Sequence, residues 1–212
     1  MKLNSLLFFA AVALVHAAEP GWIDLTTLKG WTRIPIPATA QLNPENQWSF
    51  DAATRTIRCS GDKGHEMLRS DKQYLGYDLH VEWRFKKLDG DPQPRYNSGI
   101  FVRSSADGEY FVQAQAGAGP AVWLFADYPK DGKKTRLNLK DKMTAEKTLP
   151  PGNWNTYDVG VHGGVVSLAV NGERIFAFQD VPQSPPGGYI GLEAEGFDIE
   201  FRNVRIKPSH SE

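Results

Sequence analysis

Cysteine is almost missing from this chain: Cys59 stands alone among 212 residues. One thiol cannot close an intrachain disulfide, so apolar burial has to hold the fold unaided. Cys59 follows Thr56-Ile57-Arg58 in a strand-like run, where burial as a small hydrophobe is expected and a catalytic thiolate is not. An excess of one charge is missing too. Lys and Arg number 24 against 25 Asp and Glu, for a formal net charge of -1, so the basic footprint of a nucleic-acid partner is absent. No apolar run is long enough to span a bilayer; the longest, Leu6 to Val15, falls well short. Sustained helical periodicity, internal repeats and low-complexity linkers are lacking as well. Ala116-Gly117-Ala118-Gly119-Pro120 is glycine-rich, but no helix pattern or Lys-Ser/Thr pair follows to make it a phosphate cradle. His65-Glu66 lacks the second histidine that a helical zinc motif needs. No cofactor or metal site is therefore expected. A divalent ion on loop carboxylates is compatible with the composition, but no spacing asks for one.

What is present begins with a processing signal. Lys2 supplies a positive start, Leu6 to Val15 the apolar stretch, and Val15-His16-Ala17-Ala18 the small-residue cleavage site. Residues 1–18 therefore read as a signal peptide of an exported, periplasmic or secreted protein. Residues 19–208 read as one domain and 209–212 as a tail.

The organising stretch runs from Tyr77 to Gln115. In Tyr77 to Phe85, Leu79, Val81, Trp83 and Phe85 alternate with His80, Glu82 and Arg84, the period of two that marks a half-buried strand. Strands are also expected at Asn97 to Arg103 and Glu109 to Gln115. If these three pair as neighbours, one face gathers His80, Glu82, Arg84, Arg103, Gln113 and Gln115. Arg and Gln are planar multi-donor groups suited to a polyhydroxylated or anionic ligand.

Elsewhere, 48–50 and 56–60 read as a hairpin and 66–70 as a short strand, with Trp22 and Trp31 clamping the end of the core. Residues 33–46, with three prolines, read as loop. Lys130 to Lys147, charged in both signs, reads as a lid or rim with at most a helical turn near 144–147. Toward the C-terminus, Gly163-Gly164 and Asn171-Gly172 supply the turns for three antiparallel strands. A last pair covers 189–195 and 199–206, with broken alternation predicting a bulge near Arg202-Asn203. About a dozen strands without a convincing helix make the fold class all-β, a two-sheet antiparallel sandwich.

An ordered set of motifs then carries a resemblance. Trp22-Ile23-Asp24-Leu25, Glu82-Trp83-Arg84-Phe85, Asn97-Ser98-Gly99-Ile100-Phe101-Val102-Arg103, Tyr110 with Gln113, Gly152-Asn153-Trp154-Asn155-Thr156-Tyr157, Val170-Asn171-Gly172, Gly191-Leu192-Glu193-Ala194-Glu195-Gly196 and Ile199 to Ile206 together resemble the 3-keto-disaccharide hydrolase domain family. The resemblance implies a concanavalin A-like jelly roll acting on glycosides oxidised at the sugar C3, so the expected partner is a 3-keto-glycoside or another carbohydrate. Phe111 and, approximately, Ala116 stand where members commonly carry acids. A non-catalytic carbohydrate-binding module is accordingly the alternative.

The chemistry follows from the ketone. Ordinary glycoside hydrolysis wants two carboxyls flanking the bond, and the Glu-x-Asp-x-x-Glu run of jelly-roll glucanases is absent. A C3 ketone acidifies the C2 hydrogen, so one base can start elimination of the C1 substituent and water can then add. Glu193 or Glu195 is the expected base, Arg84 and Arg103 the enolate stabilisers, and His80 or Glu82 the proton donor. Gln113, Gln115 and Asn97 are expected to hold hydroxyls, and Trp123 to stack on a sugar face.

Overall fold

The computed structural model describes residues 19–90, 95–117, 122–142, 148–179 and 187–209. The expected signal segment and the helical turn near 144–147 lie outside them.

Fifteen strands follow in chain order: β1 Ile23–Asp24, β2 Trp31–Pro35, β3 Trp48–Asp51, β4 Thr56–Cys59, β5 Glu66–Ser70, β6 Tyr77–Phe85, β7 Asn97–Ser104, β8 Phe111–Gly117, β9 Leu124–Lys130, β10 Lys133–Asn138, β11 Asn155–His162, β12 Val165–Val170, β13 Glu173–Gln179, β14 Tyr189–Ala194 and β15 Ile199–Pro208. The only helical element among the described residues is a 3-10 turn at Lys140–Lys142. The protein is an all-β antiparallel jelly-roll sandwich. Its back sheet runs β13-β12-β11-β6-β15-β4-β3 with β1 added beside β15, and its front sheet runs β10-β9-β8-β7-β14-β5-β2.

The alternation in β6 works as its sequence implies. Tyr77, Leu79, Val81, Trp83 and Phe85 are all buried between the sheets, while Asp78, His80, Glu82 and Arg84 face outward. Ile100, Val102, Val112 and Ala114 oppose them from the front sheet within one core. Full burial of each large apolar side chain contributes about 1.5–3 kcal/mol, which is how the sandwich stands without a disulfide. Cys59 is one of the buried core residues, and burial pushes its thiol up to about 12, far from a thiolate. A polar tie crosses the core: the Tyr157 hydroxyl on β11 donates to the Gln115 carbonyl on β8 at 2.7 Å.

Turn chemistry sets the C-terminal register. Asn171 and Gly172 take φ of 50° and 83°, the left-handed pair that a tight hairpin between β12 and β13 requires. In β15 the register slips between Arg202 and Arg205, with Asn203 at φ 47°, which is the expected bulge. Trp31 is buried in the core, its indole N–H donating to the Leu25 carbonyl at 3.1 Å. Trp22 lies under the Arg205 guanidinium.

Two expectations are corrected. The prolines after residue 33 do not keep the whole segment irregular, since β2 runs to Pro35 on the sheet edge, beside β5. The charged stretch from Lys130 is largely a hairpin, not a loop. Asp131 and Gly132, both at positive φ, turn β9 into β10, which extends the front sheet. As an edge strand β10 carries charges readily.

Candidate functional site

The face of the front sheet turned away from the core holds a cavity of about 590 Å³. Ile36 to Thr39, after β2, form one wall, and Lys134, Arg136 and Asn138 of β10 form the other.

Glu193 sits on its floor, 3 % exposed. Its position is built by neighbours on two strands. The Ser98 hydroxyl on β7 donates to the Glu193 carbonyl at 2.8 Å, and the Gln113 amide on β8 donates to Glu193 Oε2 at 2.8 Å. Gln113 also donates to Gln115 Oε1 at 3.1 Å, and the Gln115 amide donates in turn to Asn97 Oδ1 and to the Ser98 carbonyl. Glycines make room for side chains on this floor. Gln115 pairs with Gly99, and a Cβ on Gly99 would collide with Gln113; a Cβ on Gly191 would collide with Met67. Gly inside a strand marks this sort of close approach.

The other oxygen of Glu193 meets His65, just before β5, at 2.9 Å from Nε2. Glu195 Oε2 lies 3.9 Å from the same nitrogen. One ligand atom from each of the three residues falls within 4.8 Å of the others, the only such trio among the described residues. That spacing would admit a divalent cation, yet His65 and Glu193 already satisfy each other directly. Burial works against a charged His65, but the Glu193 hydrogen bond and charge outweigh it and hold the imidazole above its ordinary value. Burial and the Glu193 charge push Glu195 up to about 7. The arrangement provides a carboxyl poised to exchange a proton near neutrality beside an imidazole whose proton affinity is raised.

Further along the cavity, Asp127 on β9 accepts from Arg136 Nε and Nη2 at 2.6 and 2.7 Å, with Lys134 at 3.3 Å. Between this ion cluster and Glu193 stand Phe101, Phe111 and Phe125.

Of the expected site residues, Glu193, Glu195, Gln113, Gln115, Asn97 and Trp123 all line this one cavity. Gln113 turns its amide donor to Glu193 and so fixes the carboxylate, while Gln115 accepts from Gln113 and donates to Asn97. His80, Glu82 and Arg84 do not share the cavity, and their expected place in the site is corrected. They stand on the outer face of the back sheet because β6 pairs with β11 and β15, not with β7. His80 is bonded to Asp158 at 2.6 Å, and that contact outweighs burial and raises it to about 9. Glu82 takes Arg202 at 2.7 Å, and Arg84 takes Glu200 at 2.6 Å while stacking on Trp154. Arg103 is also corrected. It occupies a bulge against β14 with φ 52°, is 6 % exposed, and does not reach the cavity wall. Ala116 faces the core, so an acid there would not point into the cavity.

Sequence reasoning passed over His65, whose zinc-motif test failed, and the β10 cations. Parity could have flagged His65. Glu66 turns inward, paired with Arg33 at 2.7 Å and accepting from the Trp48 indole at 2.7 Å, which leaves its neighbour His65 for the cavity side.

Comparison with known proteins places this geometry. The sequence profile of the 3-keto-alpha-glucoside-1,2-lyase-like domain matches residues 21–207. No curated protein sequence matches the chain. Among solved structures, a candidate glycosyl hydrolase from Parabacteroides distasonis superposes with a TM-score of 0.61 at 19% identity, covering 90% of this chain and 94% of that one. A carbohydrate-binding module from Bacillus subtilis gives 0.59 at 16% identity over 85% and 96% of the two chains. The kappa-carrageenase of Pseudoalteromonas carrageenovora gives 0.53 at 11% identity over 84% and 96%. At these identities the likeness establishes the fold.

Proposed function

The chain belongs to the 3-keto-alpha-glucoside-1,2-lyase-like domain family, and from that premise we propose that it cleaves 3-keto-glycosides by elimination at C1–C2 followed by addition of water. Family and fold neighbours support a carbohydrate-active function. The single observation that carries the finer reading is the meeting of His65, Glu193 and Glu195 on the floor of one cavity.

In this reading Glu195 takes the C2 proton. The electron pair passes into a C2–C3 enolate, with charge gathering on the C3 oxygen. Collapse restores the C3 carbonyl, forms C1=C2 and expels the C1 substituent, whose oxygen takes a proton from His65. Water then gives its hydroxyl to C1 and its proton back to His65, and Glu195 returns its proton to C2, so the net change is hydrolysis. Glu193 raises the proton affinity of His65 and holds it in place. Two carboxyls from one strand end, sharing one histidine, do not flank a bond from opposite sides, which argues against the ordinary two-carboxylate route.

Purified protein is expected to release the leaving alcohol from a 3-keto-disaccharide and to leave the unoxidised disaccharide intact. Glu195→Gln and His65→Ala should each lower kcat at least a hundredfold. Full rates in both variants would remove these assignments. Phe111, standing where family members commonly carry an acid, favours the second reading of a binding module; sugar binding without product release would establish that one instead.

A further inference from the structure

Among the described residues the sandwich has two apolar clusters. The large one fills the space between the sheets, as any sandwich requires. The second gathers Met67, Phe101, Phe111 and Phe125, with Ile34, Ile36 and Trp123 against it, on the cavity side of the front sheet. An antiparallel sheet ordinarily turns a polar face to solvent, so three phenylalanines there need a reason.

Their order gives one. Phe101 packs edge-on against Phe111 at 4.7 Å and 70°, and Phe111 against Phe125 at 5.9 Å and 78°. Phe101 and Phe125 are both register partners of Gln113, the residue that holds Glu193. The apolar patch therefore begins one strand step from the polar floor, inside the same cavity. The ions closest to it bind one another: Asp127 receives Arg136 and Lys134, and the flat Arg136 guanidinium lies over Phe125 at 4.8 Å. A second sugar placed here would bring hydroxyls to phenyl edges and to ions already satisfied, leaving them unbonded. An aromatic ring would meet the exposed edges of Phe111 and Phe125, 7% and 8% exposed and backed by the fully buried Phe101, beside a planar cation. The cavity, at about 590 Å³, is in the size range for a sugar and an aryl group together.

We propose that Phe101, Phe111 and Phe125 form the leaving-group subsite, and that the preferred substrate is a glycoside of a phenol or another flat apolar alcohol. The assignment rests on the reading of the His65–Glu193–Glu195 end as the sugar site. Phe111 then stands where it does because an acid would destroy the apolar wall.

The test compares 3-keto phenyl glucosides of both anomers with a 3-keto-disaccharide, in binding calorimetry and in turnover. Wild-type protein should bind a phenyl compound at least tenfold more tightly, and Glu195→Gln should keep that preference while losing turnover. Phe111→Asp should abolish the preference. Phe111→Leu, which keeps an apolar fill and guards against misfolding, should narrow it severalfold. Equal or tighter binding of the disaccharide by wild-type protein would overturn the proposal, as would an unchanged preference in folded Phe111→Asp. Failure of the two readings is distinguishable. Turnover with disaccharide preference leaves the catalytic reading standing and removes the subsite. Phenyl preference without turnover of any ketone does the reverse.

Discussion

A Cβ on Gly99 would lie 2.2 Å from Gln113 Nε2, so the two residues share a space that admits only one side chain. The amide that fixes Glu193 crosses the sheet through the gap that glycine leaves.

Gly99→Ala is therefore expected to displace Gln113 and loosen Glu193 in one step. Overpacking of this kind costs about 1–3 kcal/mol of stability, and turnover should fall more steeply than that loss explains. Melting curves and kcat on one preparation check it; an active, fully stable alanine variant would contradict the crossing.

Glu195 makes stability depend on pH with a definite sign. Its folded value, about 7, lies above the 4.5 of the free side chain, so the folded protein holds this proton more tightly. Its contribution is fully present below about pH 4.5 and is lost as pH rises through 7. Glu195→Gln removes the titration, so between pH 4 and 8 its melting temperature should drop less than that of the wild type. Parallel curves would show that Glu195 is not held back from ionising. In turnover, the same group acting as base predicts a rate that climbs through about pH 7 in the wild type.

The back-sheet network should be silent in catalysis. His80→Ala and Arg84→Ala each break an ion pair on the outer face, at 2.6 Å to Asp158 and to Glu200 respectively. The more open Arg84 pair contributes about 0.2–1 kcal/mol and the half-buried His80 pair more, so stability should fall further in His80→Ala while kcat/KM changes in neither. A tenfold loss of kcat/KM in either variant would return those residues to the site.

Export is tested by mass. Protein recovered from outside the cytoplasm of a bacterial host should begin at or near Ala18. An intact Met1 on most of the protein would remove the signal-peptide reading.

Much of the fold was legible because its signals are local. Alternation from Tyr77 to Phe85, the Asn171-Gly172 turn and the broken pattern at Arg202-Asn203 each depend on residues a few places apart. Sheet membership was not legible. β6 and β7 follow each other in the chain but enter opposite sheets, so a correct reading of which side chains alternate gave a wrong set of companions for Arg84. Glu193 and Glu195 were visible as a pair on one strand. His65 was not, because its partner lies 128 residues away and only pairing of β14 with β5 brings them together. The β9–β10 hairpin was hidden by its composition, since an edge strand rich in Lys and Arg looks like loop until its Asp-Gly turn is weighed.

The bond from Tyr157 has a consequence for how such a protein can diverge. It ends on the main-chain carbonyl of residue 115, not on the glutamine side chain. The bolt joining the two layers is thus indifferent to which amino acid occupies that place in the cavity. A lineage, or a designer, can exchange the tools mounted on this floor without unfastening the plates beneath, which is one physical route by which a single scaffold comes to serve unrelated sugars.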